Sequence, residues 1–187
     1  MPAITTNDLK NGITLALDNG LFQVVEFQHV KPGKGGAFVR TKLRNVKTGN
    51  VLERTFNAGV RVEQAIVNRT EMQFLYRDAD HYVFMDNQTY EQTNVAEAAL
   101  GDVAEYLVEG MTAQLGFHDG EIISAEISAS VELTISDTEP GVQGDRVSGA
   151  RKPATLQTGK VVQVPLFVEV GDKVRVDTRT GDYITRV

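Results

Sequence analysis

"FQVVEFQHVKPGKGGAFVRTKLRNVKTGNVLERTF", residues 22–56, decides the fold of this chain. The runs "FQVVEF" (22–27), "FVRTKLRNV" (38–46) and "LERTF" (52–56) are rich in β-branched and aromatic residues and read as strands. Between them lie "PGKGG" and "KTGN", which are turn sequences. Short strands, closely spaced and with little helical periodicity, predict a small SH3-like β-barrel. Alternate residues of a strand share a face. On 38–46, Arg40, Lys42 and Arg44 therefore point one way, while Val39 and Leu43 point the other, where they can fill a core.

The turn at 32–36 holds one lysine at its tip. Pro32 fixes φ at the first central position, and Gly33 suits the positive φ that a type II turn requires next. Gly35 and Gly36 let the backbone approach another surface closely. Lys34 then projects on a flexible stem with a compact ammonium. A Walker loop is excluded, because Gly35 follows Lys34 where serine or threonine is needed. Alone, "PGKG" is an ordinary solvated turn. The stripe Arg40, Lys42, Arg44, with Lys31 on the other arm, changes that reading. Like charges on one strand face repel unless solvent screens them or a polyanion neutralises them. Contact with an RNA backbone is the functional alternative.

Outward from this module the strand style continues. Residues 65–86 contain two strand-like runs around a turn at Asp78–Asp80. "NVAEAALGDVAEYLVEG" (94–110) has helical spacing, with Asn94 as N-cap and Glu97 three residues later. "MTAQLGF" and "IISAEIS" flank a turn at "HDGE", which completes an OB-like barrel. "VELTIS", a polar loop "DTEPGVQGDRVSGARKPA" and the strand-rich tail from Gly159 give a second one. The expected organisation is all-β: an SH3-like (KOW-like) barrel over 1–64, then OB-fold barrels over 65–128 and 129–187.

Charge follows the same division. Residues 1–64 carry nine lysines and arginines against five acids, +4; residues 65–128 carry two against twelve, −10; residues 129–187 carry eight against eight. A polyanionic partner is thus expected for one part of the chain only. The absence of cysteine excludes disulfides, thiolate catalysis and cysteine-ligated zinc, and it fits a cytoplasmic protein. The N-terminus lacks the basic and apolar regions of a secretory signal, and no run reaches the ~18 apolar residues of a membrane helix. His29, His81 and His118 are too scattered to predict a metal site. "DADHYVFMD" (78–86) fails as a calcium loop, since Tyr82 and Val83 take the positions of a ligand and of the turn glycine. No nucleophilic triad presents itself, and no cofactor is expected.

Taken together these stretches resemble bacterial elongation factor P over the whole chain. "KPGKGGAF" followed by "VRTKLRNVKTGNVLERTF" is similar to the family's first module. The C-terminal signature is more specific: Lys152, Ala154, Leu156, Gly159, "VPLFV" (164–168), Gly171, "VRVDTRTGDY" (174–183) and Arg186–Val187. The resemblance implies an SH3-like module and two OB-like modules; the related initiation factor 5A stops after two.

The resemblance also implies a role. The protein is expected to be a non-enzymatic translation factor, without catalytic residues, that binds the 70S ribosome between the peptidyl-tRNA and exit sites. It is expected to stimulate peptide bond formation at consecutive prolines. Lys34, supported by Pro32, Gly33, Gly35 and Gly36, is implied to reach the CCA end of the peptidyl-tRNA (a prolyl-tRNA), and is a candidate for extension by a modifying enzyme. Lys31, Arg40, Lys42, Arg44, Arg151, Lys152, Arg179 and Arg186 are implied RNA contacts. Gly144, Asp145 and Arg146 match a loop that lies near the exit-site codon in relatives, with arginine in place of the usual threonine. A monomer is expected. That substitution keeps open a paralogue with a different ribosomal task. Schiff-base chemistry at Lys34 is disfavoured, because such lysines are normally buried.

Overall fold

The computed structural model describes residues 2–141 and 149–187. The chain is built mostly of strands, arranged in three curled sheets. β1 (Ala3–Thr5), β2 (Thr14–Leu17), β3 (Gly20–Val30), β4 (Phe38–Asn45), β5 (Val51–Asn57) and β6 (Arg61–Ala65) form the first, in the order β1-β6-β2-β3-β4-β5. Its inner face buries Leu15, Val24, Val39 and Leu43 completely, with Leu9, Phe56 and Val62 around them. The expected alternation on β4 holds: Val39, Thr41 and Leu43 are buried while Arg40, Lys42 and Arg44 are exposed. Thr41 tolerates burial because its hydroxyl donates to the Arg54 carbonyl at 2.7 Å.

The second sheet contains β7 (Asn68–Asp78), β8 (His81–Asp86), β9 (Gln92–Ala96), β10 (Thr112–His118) and β11 (Glu121–Glu126), in the order β11-β10-β7-β8-β9. The helix expected over 94–110 is much shorter. Residues 92–96 belong to β9, so Asn94 is a strand residue and caps nothing; the α-helix α1 is the single turn Glu97–Leu100, capped at Ala96 without a side-chain bond. Gly101, at φ 55, leaves the helical region, and the chain continues as a 3-10 turn to Tyr106. The alanines and leucine that read as helix are outweighed by this one residue.

The third sheet contains β12 (Ser130–Thr138), β13 (Arg151–Leu156), β14 (Val161–Pro165), β15 (Lys173–Asp177) and β16 (Tyr183–Arg186), in the order β14-β13-β12-β15-β16. The polar loop expected to run to Ala154 gives way to β13 at Arg151. Leu133, Leu156, Val164, Val168, Val174 and Val176 are fully buried in its core. Chain contacts group residues 1–70, 95–101 and 115–125 into one compact unit, and 71–94, 102–114 and 126–187 into another.

Within the second unit, Tyr106 from the 3-10 turn inserts into the third sheet's core, where it is 3% exposed. The Lys160 ammonium sits 5.1 Å from its ring centroid and pairs with the neighbouring Glu105 carboxylate. Burial pushes the Tyr106 hydroxyl above its ordinary 10.0, and the hydrogen bond that Lys160 donates to the Glu105 carboxylate holds the ammonium above 10.5. Both folded values exceed the unfolded ones. The stabilisation is therefore complete below pH 10 and is lost as pH rises through them.

One turn recurs in all three sheets. It joins β4 to β5 as Asn45–Asn50, β8 to β9 as Asp86–Glu91, and β15 to β16 as Asp177–Asp182. In each, Oδ1 of the first residue accepts the amides two and three positions on, at 2.9 and 3.0 Å, 2.7 and 3.2 Å, and 2.8 and 3.2 Å. Thr48, Thr89 and Thr180 each accept the amide two residues later. Residues 49, 90 and 181 each donate an amide back to the first carbonyl with positive φ.

Truncating Tyr106 to alanine is expected to destabilise the protein by about 3–5 kcal/mol, as for other buried aromatics. Tyr106→Phe should keep the packing and shrink the fall in melting temperature between pH 9 and 11, because the titrating hydroxyl is gone. Thermal melts across that range check both.

Candidate nucleic-acid interface

The loop 31–37 connects β3 to β4, whose last paired residues are Val30 and Phe38. Every residue from Lys31 to Ala37 is exposed. The loop's base is tied by the Ala58 amide, which donates to the Ala37 carbonyl at 3.0 Å. The positive φ falls on Gly35, at 108°, and not on Gly33 as a type II turn at Pro32–Gly33 requires. A β-carbon at Gly33 or Gly36 meets nothing within 4 Å, and one at Gly35 meets only Pro32 Cγ at 3.9 Å. Only Gly35 is therefore demanded by the chain's own conformation. The other two keep the loop bare without relieving any internal crowding.

Beneath the loop, the outer face of β4 lies between β3 and β5. Arg40 is opposite Gln28 and Thr55, Lys42 is opposite Glu26 and Glu53, and Arg44 is opposite Gln23 and Val51. Lys42 pairs with Glu26 at 3.4 Å, with both side chains about half exposed or more (47% and 67%). The basic row thus has two arginines with no acid directly across from them and a central lysine already part-neutralised. An exposed pair of this kind is weak and leaves Lys42 free to exchange partners.

Lys31 stands at the start of the loop, whereas Arg151, Lys152, Arg179 and Arg186 belong to the third sheet and its β15–β16 turn. Lys152 is a correction. Along β13 the exposed and buried positions alternate, Arg151 and Pro153 outward, Lys152, Ala154 and Leu156 inward. Lys152 is 7% exposed, and its ammonium donates to the Glu139 carbonyl at 2.5 Å, so the charge is used inside the chain and is not presented to a polyanion. Arg151 is exposed at the start of the same strand. Arg179 and Arg186 lie at opposite ends of the β15–β16 hairpin. Arg179 is 75% exposed at the turn, near Asp177; Arg186 lies 5.1 Å over the Phe167 ring and 3.4 Å from Asp172. Backbone amides hold both aspartates below their usual range: the Glu169 amide at Asp172, and the Arg179 amide at Asp177. Gly144, Asp145 and Arg146 lie outside the described residues.

Three consecutive segments match family models: the elongation factor P KOW-like domain over residues 5–62, its OB domain over 67–125, and its C-terminal domain over 131–186. The chain belongs to the elongation factor P family. It is 58% identical over 184 residues to the elongation factor P of Streptomyces avermitilis, covering 98% of each chain. It is 58% identical to that of Acidothermus cellulolyticus over 182 residues (97% of each). With that of Desulfitobacterium hafniense it shares 55% over 183 residues, covering 98% of this chain and 99% of the other. Among solved structures it is similar to the translation initiation factor 5A of Methanococcus jannaschii, with a TM-score of 0.53 and 25% identity over 67% of this chain and 94% of that one. The all-β architecture, a KOW-like barrel followed by OB-type barrels, is that of a translation elongation factor. No helix among the described residues is long and apolar enough to cross a membrane.

The loop geometry makes a test. Gly36→Ala should leave folding unchanged or stabilise it by up to about 1 kcal/mol, since the site is open and φ is not positive. Gly35→Ala should cost about 1 kcal/mol for the left-handed conformation. Chemical denaturation of the two variants beside the parent separates them.

Proposed function

We propose that this elongation factor P acts without covalent chemistry, binding the 70S ribosome between the peptidyl-tRNA and exit sites and stimulating peptide bond formation at consecutive prolines. Lys34 is the residue that reaches the CCA end of the peptidyl-tRNA. The observation that carries this reading is the bare, fully exposed lysine loop standing on the exposed row Arg40, Lys42, Arg44. A single cation flanked by glycines can enter a crowded RNA groove and meet phosphate there. Ordering the tRNA end lowers the entropic part of the barrier, which a factor can do without a nucleophile or base. An exposed lysine is the reverse of what Schiff-base catalysis needs. The role also places the protein in the cytoplasm.

Pro-Pro-Pro peptide synthesis in a reconstituted translation system is the test. The protein should relieve the stall, and Lys34→Ala should abolish the relief while leaving the melting temperature unchanged. Protein isolated from its native cells supplies any group that a modifying enzyme adds to Lys34, and intact mass reveals it. Failure of that native protein sinks the reading. Arg40→Ala and Arg44→Ala should each weaken ribosome binding and reduce the dependence of log affinity on log salt by roughly one unit, the signature of a lost phosphate contact. An unchanged salt slope in both removes the arginine row from the interface.

A further inference from the structure

The turn shared by the three sheets has one irregular copy. Its fifth residue donates an amide to the first carbonyl and must adopt positive φ. Gly49 does so at 73° and Gly181 at 79°, but in the second sheet the position is Tyr90, at 61°. Every other feature of the turn is kept there: the aspartate oxygen accepting two amides, the threonine hydroxyl accepting a third, and the closing backbone bond. The turn therefore has no use for a tyrosine that glycine does not serve in the two sister copies.

A β-carbon is disfavoured in this left-handed region, and a bulky side chain there is a true outlier. Strain of this kind is normally offset by burial or bonding. Tyr90 has neither. Among the described residues it is the most exposed of the large hydrophobic side chains, at 72%, and its ring has no aromatic, cation–π or hydrogen-bond partner. An outlier with no return inside the chain points to a return outside it.

We propose that Tyr90 is the anchor of a second recognition surface, and that its partner is a lysine- and arginine-rich protein segment. Rigid, amphipathic tyrosines are favoured interface anchors. The surroundings choose the partner. Exposed Glu91 is adjacent, and exposed Glu71 stands one residue beyond the Met72–Asp86 strand pair at the same end of the sheet. The segment 65–128 carries two basic residues against twelve acidic ones. That field repels phosphate and attracts cationic side chains, which can lie on the ring face while meeting the carboxylates. This is a different surface chemistry from the basic row of β4, which suits RNA.

The inference rests on the ribosome-binding reading above, since the ribosome supplies the partner. The experiment combines thermal melts and 70S ribosome binding for the parent, Tyr90→Gly and Lys34→Ala with photocrosslinking from a benzophenone amino acid at position 90. Tyr90→Gly should melt at the same or a higher temperature and bind about tenfold more weakly, and the crosslink should fall on a basic stretch of a ribosomal protein. A lower melting temperature for Tyr90→Gly makes the tyrosine a folding residue and overturns the proposal. Unchanged binding, or a crosslink to RNA, also overturns it while leaving the Lys34 reading intact. Absence of ribosome binding by the parent sinks both.

Discussion

Alternation of side chains along the strand is the constraint on which this molecule rests. Each barrel has too few residues to build a thick core, so each strand must commit one face entirely to it. On β4 that places Val39, Thr41 and Leu43 inside and Arg40, Lys42 and Arg44 outside. The same rule on β13 carries Lys152 inward with Ala154 and Leu156. One physical principle thus makes three cations available to a partner and withdraws a fourth. Slipping either strand by one residue would bury the arginines and expose the aliphatic core.

Pleat and turn chemistry were legible in the sequence because both are local. The hairpin around the lysine loop, the runs of the middle sheet and the tail of the third sheet all appear where β-branched runs and turn residues place them. What was not legible depended on competition between levels. Residues 94–110 have helical composition, yet 92–96 pair in a sheet and Gly101 ends the helix after one turn, so tertiary pairing overrode propensity. β13 reads as loop because a lysine and a proline stand in its middle. The lysine is accommodated only by the Glu139 carbonyl, a contact set by folding, and Pro153 occupies an outward position. Tyr106 escaped notice for a similar reason. It belongs by sequence to the second sheet's connection and by packing to the third sheet's core.

The site shows the same partition. The identity of the tip residue and the direction of the basic row follow from spacing alone. The conformation of the tip does not: positive φ sits at Gly35, two residues after the position that turn rules favour. The acid pairing of Lys42 also depends on a partner strand, since Glu26 comes opposite only after a register shift between Val24 and Glu26. A bulge in β3 therefore decides which of the three cations is partly neutralised.

Tyr90 shows what internal repetition adds to a single chain. A single residue at positive φ does not by itself say whether the turn or the side chain requires it. Three copies of one turn supply a control inside the same molecule. Asn45 and Asp177 build the turn with glycine at the strained position, and Asp86 builds it with the same bonds around a tyrosine. The turn's own stability does not select for the larger residue, since glycine satisfies the conformation better and the ring stays mostly exposed. What remains is selection for the ring itself, presented by a turn stiff enough to hold it in place before a partner arrives. Preorganisation of that kind lowers the entropy lost on binding. It is the same economy by which Pro32 and the tied base at Ala37 hold the lysine loop.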